Sequence, residues 1–186
     1  MSSRNERLVW MDLEMTGLNI DKESIIEIAT VITDQDLNII AEGPNLAISV
    51  PEDLLSQMDE WNTKHHHESG LVERIRTQGV DVEEAERQTL DFLKEWVDYR
   101  TAPLCGNSIW NDRRFLQKEM NEVSRYLHYR MIDVSTIKEL RRRWYPGMKR
   151  FQKKGAHLAR DDILESIAEL KAYKDEIFKD PSSVSS

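Results

Sequence analysis

The chain has 186 residues, 39% hydrophobic and 32% charged, which excludes a disordered composition and suits one domain with its own core. A net charge of −8 argues against a protein that tracks along long nucleic acid, and a single cysteine, Cys105, excludes an internal disulfide and fits a reducing compartment. No apolar run approaches membrane-spanning length, and MSSRNER leads straight into a strand without a signal-peptide core, so a cytoplasmic protein with no membrane contact is expected.

Leu8 to Met15 reads as a strand, and Ile25 to Thr33 ("IIEIATVIT"), rich in β-branched residues, as a second. Leu37 to Val50 is predicted as a third, bent at Gly43-Pro44 and joined to the second by a hairpin. After Pro51 two helical stretches follow, one holding Leu54, Leu55 and Met58, the other Leu71, Val72 and Ile75. Asp81 to Val97 places Val82, Ala85, Thr89, Phe92, Leu93 and Trp96 at helical spacing, with Asp81 as N-cap. "APLCGNSI" is a short strand and turn, and Asn111 to Val123 is predicted as one helix. "YRMIDVS" is another strand, "STIKELRRRWY" a helix stopped at Pro146-Gly147, and the last helix runs from about Arg160 to Phe178. Three hairpin-linked strands followed by alternating helix and strand describe an α/β fold with a mixed five-stranded sheet flanked by helices and the first strand central. Residues 1–180 are expected to form a single domain and residues 181–186 a loose polar tail.

The first strand carries the main chemical signal. Side chains alternate along it, so Trp10, Asp12 and Glu14 share one side, with the two acids about 6.6 Å apart along the backbone. Their ends can converge on one cation or on a pair, and oxygen-only ligands suit Mg2+ or Mn2+. An exposed strand end with solvated acids is the competing reading. Asp112 sits where a strand gives way to a helix, a usual place for α/β sites, although acids also favour helix starts for the dipole. Asp162, at the start of the last helix, lies at the margin of the face marked by Ile163, whereas Asp161 is turned away. His157 precedes that helix. Five helical residues turn through about 500°, so His157 can act with Asp162 only from the loop. A histidine there has the right proton affinity to take a proton from water. His65 to His67 diverge on a helix and cannot share one ion, which leaves His66 as a candidate lining residue. Cys105 reads as core rather than nucleophile.

The spacing Asp12-x-Glu14, Asp112, His157 and Asp162 resembles the DEDD exonucleases of the histidine subclass. The segments "WMDLEMTGL", "IIEIATVITD", "GNSIWNDRRFL", "YRMIDVSTIKEL" and "HLARDDILESIAEL" resemble the branch of that family that degrades very short RNA. The resemblance implies a ribonuclease H-like fold and release of nucleoside 5′-monophosphates from 3′ ends with two divalent metal ions per site. It implies that Asp12 bridges both ions, that Glu14 and Asp162 complete one site and Asp112 the other, and that His157 deprotonates the attacking water. Leu18 and Trp61 resemble the residues that pack on the bases. Ser108, Tyr129, Arg130, Ser135 and Lys138 resemble the group that holds the 5′ phosphate of a short single-stranded RNA, Tyr129 and Arg130 reaching in from the second subunit of a homodimer. The same chemistry applied to DNA or to tRNA ends, a catalytically idle nucleic-acid or protein-binding domain, and a carboxylate-rich metal-storage protein are the alternatives. Between Lys138 and Lys154 eight basic residues face one acid, a local +7 against −15 for the rest, which suits an anionic ligand of limited length or a solvated basic loop.

Overall fold

Alternating apolar side chains commit Leu8–Met15 (β1) to the middle of a five-stranded sheet in this computed structural model, which describes residues 3–152 and 158–179. Ile25–Thr33 (β2) and Ile39–Ala47 (β3) extend the sheet on one side, and Leu104–Gly106 (β4) and Met131–Asp133 (β5) on the other, in the order β3-β2-β1-β4-β5. β1, β2 and β3 pair antiparallel, whereas β4 joins β1 and β5 joins β4 in parallel. Parallel pairing needs crossover connections, and helices supply them. Glu52–Ser56 (α1), Glu60–Glu68 (α2), Leu71–Gln78 (α3) and Val82–Trp96 (α4) carry the chain from β3 to β4. Trp110–Glu119 (α5) and Asn121–Tyr126 (α6) carry it to β5, and Val134–Trp144 (α7) and Ala159–Ile177 (α8) follow. This is the mixed, helix-flanked five-stranded architecture expected, with the first strand central. The tail at 181–186 lies outside the described residues.

Both faces of the sheet are covered, which is why all of β2 is buried. Val9, Met11 and Leu13 pack on one face with Ala85 and Leu93 of α4 and Phe115 and Leu116 of α5. Trp10, Ala29, Val31 and Cys105 pack on the other with Ile163, Ile167 and Tyr173 of α8. Asp12 and Glu14 share the Trp10 side, so the strand period delivers both to the face that α8 covers. Burial also pushes the Cys105 thiol well up, as a core cysteine requires.

Two boundaries depart from expectation for physical reasons. β3 is shorter than predicted, and its ladder shifts register opposite Ala29 and Val31, around the Gly43-Pro44 bend. A Cβ on Gly43 would stand 2.5 Å from the Phe92 ring, so α4 lies on bare backbone there. The helix predicted over 111–123 is two helices, broken at buried Met120 (φ −131°, ψ 61°). The opening amides of α6, at Glu122 and Val123, donate to Glu86 Oε1 of α4 at 2.6 and 3.2 Å. A cap borrowed from another helix restarts the chain in a new direction. Among the described residues no helix is long and apolar enough to cross a membrane.

Candidate active site

A cleft of about 510 Å³ opens where the C-terminal half of β1 meets the starts of α5 and α8. Asp12, Glu14, Asp112 and Asp162 all line it. One carboxylate oxygen from each of Asp12, Glu14 and Asp162 lies within 4.8 Å of the other two. Asp162 reaches this point because the first turn of α8 crosses β1, its own amide donating to the Leu158 carbonyl oxygen at 3.0 Å. Asp112 is not one of these three, and its Oδ1 accepts the Leu13 N–H at 2.9 Å, next to Asp12 in β1. The four acids singled out in the sequence therefore share one cleft. Asp161 does not join the three and lies 3.6 Å from Arg160. His157 lies outside the described residues.

Burial and mutual repulsion favour the protonated forms of Asp12, Glu14 and Asp112. Burial raises Asp12 well above the usual carboxylate range, and Asp112, Glu14, Asp162 and Glu27 raise it further, in that order. Burial and then Asp162, Glu27 and Asp112 push Glu14 up to about 8. Asp112 rises to about 7 through burial, held back by the Leu13 N–H and its own amide. Such a set is electrostatically unfavourable when ionised, and a hard divalent cation among oxygen donors removes the conflict. The donor set fits: Asp12, Glu14 and Asp162 converge, and Asp112 is the charge that weighs most on Asp12 from outside that trio.

Glu27 was not among the residues picked out by sequence, yet it organises the site. It lies directly opposite Glu14 across the β1–β2 ladder and is 0% exposed. Arg74 of α3 donates to its Oε1 at 2.5 Å, and the Ala159 amide donates to its Oε2 at 3.3 Å. One buried carboxylate thus ties α3 to the first residue of α8, three positions before Asp162. The signal was present as a lone acid inside the apolar run "IIEIATVIT".

The mouth of the cleft is apolar and exposed. Leu18 (66% exposed) and Trp61 (59%) line it, so neither is a core residue. The three adjacent histidines diverge as helical geometry demands. His65 stacks on Trp61 with ring centroids 3.8 Å apart, His66 is buried and His67 is exposed. His66 Nε2 carries its proton toward the Met15 carbonyl oxygen at 3.1 Å, and burial holds its pKa below the ordinary histidine value, so it lines the cleft as a neutral ring.

The residues compared with a 5′-phosphate group divide into two sets. Ser108 lines the cleft in a left-handed conformation (φ 51°), its amide donating to Asp133 Oδ1 and Ser135 Oγ at 2.9 and 3.0 Å. The Ser135 hydroxyl lies 3.2 Å from that of Ser108 and donates to Asn107 Oδ1 at 3.0 Å. Asn107 donates in turn to Ser166 and Glu169 of α8 at 2.8 and 3.2 Å, and Lys138 pairs with the buried Glu169 at 3.0 Å. Ser108, Ser135 and Lys138 are therefore one connected cluster, with Asn107 and Glu169 the members that the sequence reading missed. Tyr129 and Arg130 stand apart on the loop before β5, both exposed, with the Arg130 guanidinium over the Tyr129 ring. Within one chain they do not line the acidic cleft. Acids outside the basic run meet part of its +7: Arg141 is buried against Glu176 and the Lys149 carbonyl oxygen, and Lys138 pairs with Glu169, while Arg142 and Arg143 pair with Glu139, which the count already includes.

Residues 9–170 match the family model described as exonuclease. The chain is 53% identical over 178 residues to the oligoribonuclease of Acinetobacter baylyi, covering 95% of this chain and 97% of that protein. It is 57% identical over 180 residues to the oligoribonuclease of Vibrio cholerae serotype O1, covering 96% and 99%. Among solved structures it is similar to E. coli Exonuclease I in complex with a dT13 oligonucleotide, with a TM-score of 0.71 at 14% identity. That match covers 91% of this chain and 41% of the other, and it shows a shared fold.

Proposed function

Since the chain belongs to the exonuclease family and, within it, to the oligoribonucleases, we propose that it hydrolyses short single-stranded oligoribonucleotides from their 3′ ends, down to dinucleotides, releasing nucleoside 5′-monophosphates. The observation that carries this reading is a single cleft in which three converging carboxylates and Asp112 lie behind an exposed Leu18 and Trp61. Asp12, Glu14 and Asp162 would hold one divalent ion, Asp12 and Asp112 a second, with Mg2+ or Mn2+ the cations that suit oxygen donors. Bound there, such ions would neutralise the carboxylates, polarise the phosphodiester and favour departure of the 3′ oxygen.

The chain's own groups do the rest. Trp61, braced by His65, offers a face for a base, and stacking of that kind is worth about 1–3 kcal/mol for any base. Leu18 packs beside it, and neutral His66 closes the wall without adding charge. His157 takes the proton of the attacking water, the water oxygen bonds to phosphorus as the bond from phosphorus to the 3′ oxygen breaks, and the leaving 3′ oxygen takes a proton from solvent to end as a hydroxyl. Ser108, Ser135 and Lys138 receive the terminal 5′ phosphate, a ligand that suits hydroxyl donors and an ammonium. Tyr129 and Arg130 of the partner subunit complete that group in a homodimer. The dimer reading is supported by β5, an open sheet edge, and by the exposed Trp110, Met131 and Trp144. A cytoplasmic location is supported by one thiol, buried and unpaired. Residues 1–180 are proposed to act as one domain.

A direct comparison tests the substrate. A 5′-phosphorylated diribonucleotide and a 20-mer RNA are incubated at equal concentration with wild type and Asp12→Ala, with Mg2+ or EDTA. Rapid metal-dependent loss of the dinucleotide, slow attack on the 20-mer and a dead variant are expected. Efficient digestion of the 20-mer that leaves the dinucleotide intact would refute the 5′-phosphate cap.

A further inference from the structure

A second cleft, of about 580 Å³, opens between α5, α6 and the loops at Arg100 and His128, and it shares no lining residue with the acidic cleft. Arg100, Arg113, Arg125 and His128 line it together with Tyr129, the residue proposed above to reach the partner subunit's site, and no carboxylate does. This holds in a chain whose acids outnumber Lys and Arg by 34 to 26. Arg125 meets Glu122 only through a solvent-exposed pair at 3.5 Å, an interaction of little strength. Arg113 is half-buried, and its guanidinium donates to the His128 carbonyl oxygen at 3.3 Å. Among the described residues no carboxylate pairs with Arg100 or Arg113.

A guanidinium drawn partly out of water and left with only a carbonyl acceptor is under-compensated, and several such groups around one cavity repel. A phosphate group reverses both costs, because its oxygens accept the paired N–H groups of arginine in a planar fork. Gln117 and Ser124 add amide and hydroxyl donors to the same wall. The volume is that of a small-molecule site rather than a flat patch. We propose that this arginine-lined cleft is a second anion site, taking a phosphate group carried by a small ligand, either inorganic phosphate or a nucleoside 5′-monophosphate. Arg113 and Gln117 project from α5, which also carries Asp112, so an occupant is joined to the acidic cleft through one helix.

Thermal unfolding of the full chain in EDTA tests this apart from catalysis, and Lys138→Gln measured in parallel removes any rise that comes from phosphate held by the Ser108, Ser135 and Lys138 cluster. Sodium phosphate at 20 mM should raise Tm over sodium chloride of equal ionic strength by on the order of 3 °C. Phosphate also stabilises folded proteins non-specifically, so the decisive comparison is with Arg113→Gln and, separately, Arg125→Gln, each of which should lose at least half of that rise. Arg125 is exposed, so its variant decides the matter if Arg113→Gln folds poorly. Adenosine 5′-monophosphate at the same concentration, applied to Trp61→Ala so that base stacking in the acidic cleft is removed, separates the sources: a larger rise than with phosphate that Arg125→Gln abolishes assigns a nucleotide, an equal one phosphate alone. Equal shifts in phosphate and chloride, or a phosphate shift that survives in Arg125→Gln, overturn the proposal. It is equally overturned if wild type ignores phosphate and Arg125→Gln halves the sedimenting mass, which would assign the cleft's charge to a partner subunit.

Discussion

Replacing Glu14 by Gln should make the metal-free protein more stable while destroying its activity. Glu14 rises from an ordinary value of 4.5 to about 8, with burial and three neighbouring acids as causes. A folded-state pKa above the unfolded one means that the folded state holds the extra proton, so stability is full below about 4.5 and falls as pH rises through about 8. At 1.36 kcal/mol per pH unit the ceiling is about 5 kcal/mol. The cleft is open to water and a neighbouring acid can keep a proton instead, which reduces the recoverable part to about 1–2 kcal/mol. For a chain of this size that is a rise in Tm of roughly 2–8 °C. The assay is thermal unfolding in EDTA at pH 5.5 and 8.5, where the variant should lose less than wild type between the two. Addition of Mn2+ should invert the order at pH 8.5, since wild type gains a ligand-binding contribution that the variant largely forgoes. A Glu14→Gln protein less stable than wild type in EDTA at pH 8.5 would refute the argument from repulsion.

Mn2+ affinity should rise between pH 6 and 8 as protons leave Glu14 and Asp112, which titrate near 8 and 7; calorimetry in two buffers should show proton release, and none would contradict those shifts. Trp61→Ala should lower kcat/KM for a dinucleotide by roughly 5- to 150-fold, the range given by 1–3 kcal/mol of stacking, with Tm unchanged because the ring is exposed; a collapse in Tm would assign Trp61 to the core instead. Arg74→Ala leaves Glu27 buried without its cation and should cost about 3–5 kcal/mol, read as a loss in Tm of roughly 6–20 °C, together with weaker metal binding as α8 loses its tether. A variant within 1 °C of wild type would remove Glu27 from the support of Asp162.

What the sequence made legible was whatever depends on a local period. The alternation of β1 put Asp12 and Glu14 on one side, and the helical phase at Ile163 separated Asp162 from Asp161, as the 4.8 Å cluster shows. The helix-flanked mixed sheet followed instead from the order of the elements, three hairpin-linked strands and then alternating helix and strand. What escaped depends on partners far along the chain. Glu86 restarts a helix from 36 residues away, and Arg74 reaches Glu27 from 47. Neither spacing has a period to betray it. The charge count over Lys138 to Lys154 carries no direction: it does not tell that Arg141 turns inward to Glu176 or that Lys138 meets Glu169, both outside the run.

The arrangement of β1 also explains why an acidic cluster survives in a folded chain at all. β1 is laddered to β2 from Leu8 to Met15 and to β4 at Val9 and Trp10, with core on both faces, so its side chains have little freedom to relax away from one another. Asp112 is held to it by the Leu13 amide, and α8 is held to its neighbour by Glu27. Each anchor is itself a carboxylate, so the device that fixes the acids adds to their repulsion: Glu27 raises both Asp12 and Glu14. Arg74 offsets that charge at Glu27 but lies behind it, away from the cleft lining, so it steadies the scaffold without neutralising the site. The negative charge is thereby concentrated on the side chains that face the cleft, where protons relieve it at low pH and a cation entering there relieves it once they leave. Rigidity of the scaffold and affinity for divalent metal are in this sense one property, and loosening β1 or α8 should reduce both together.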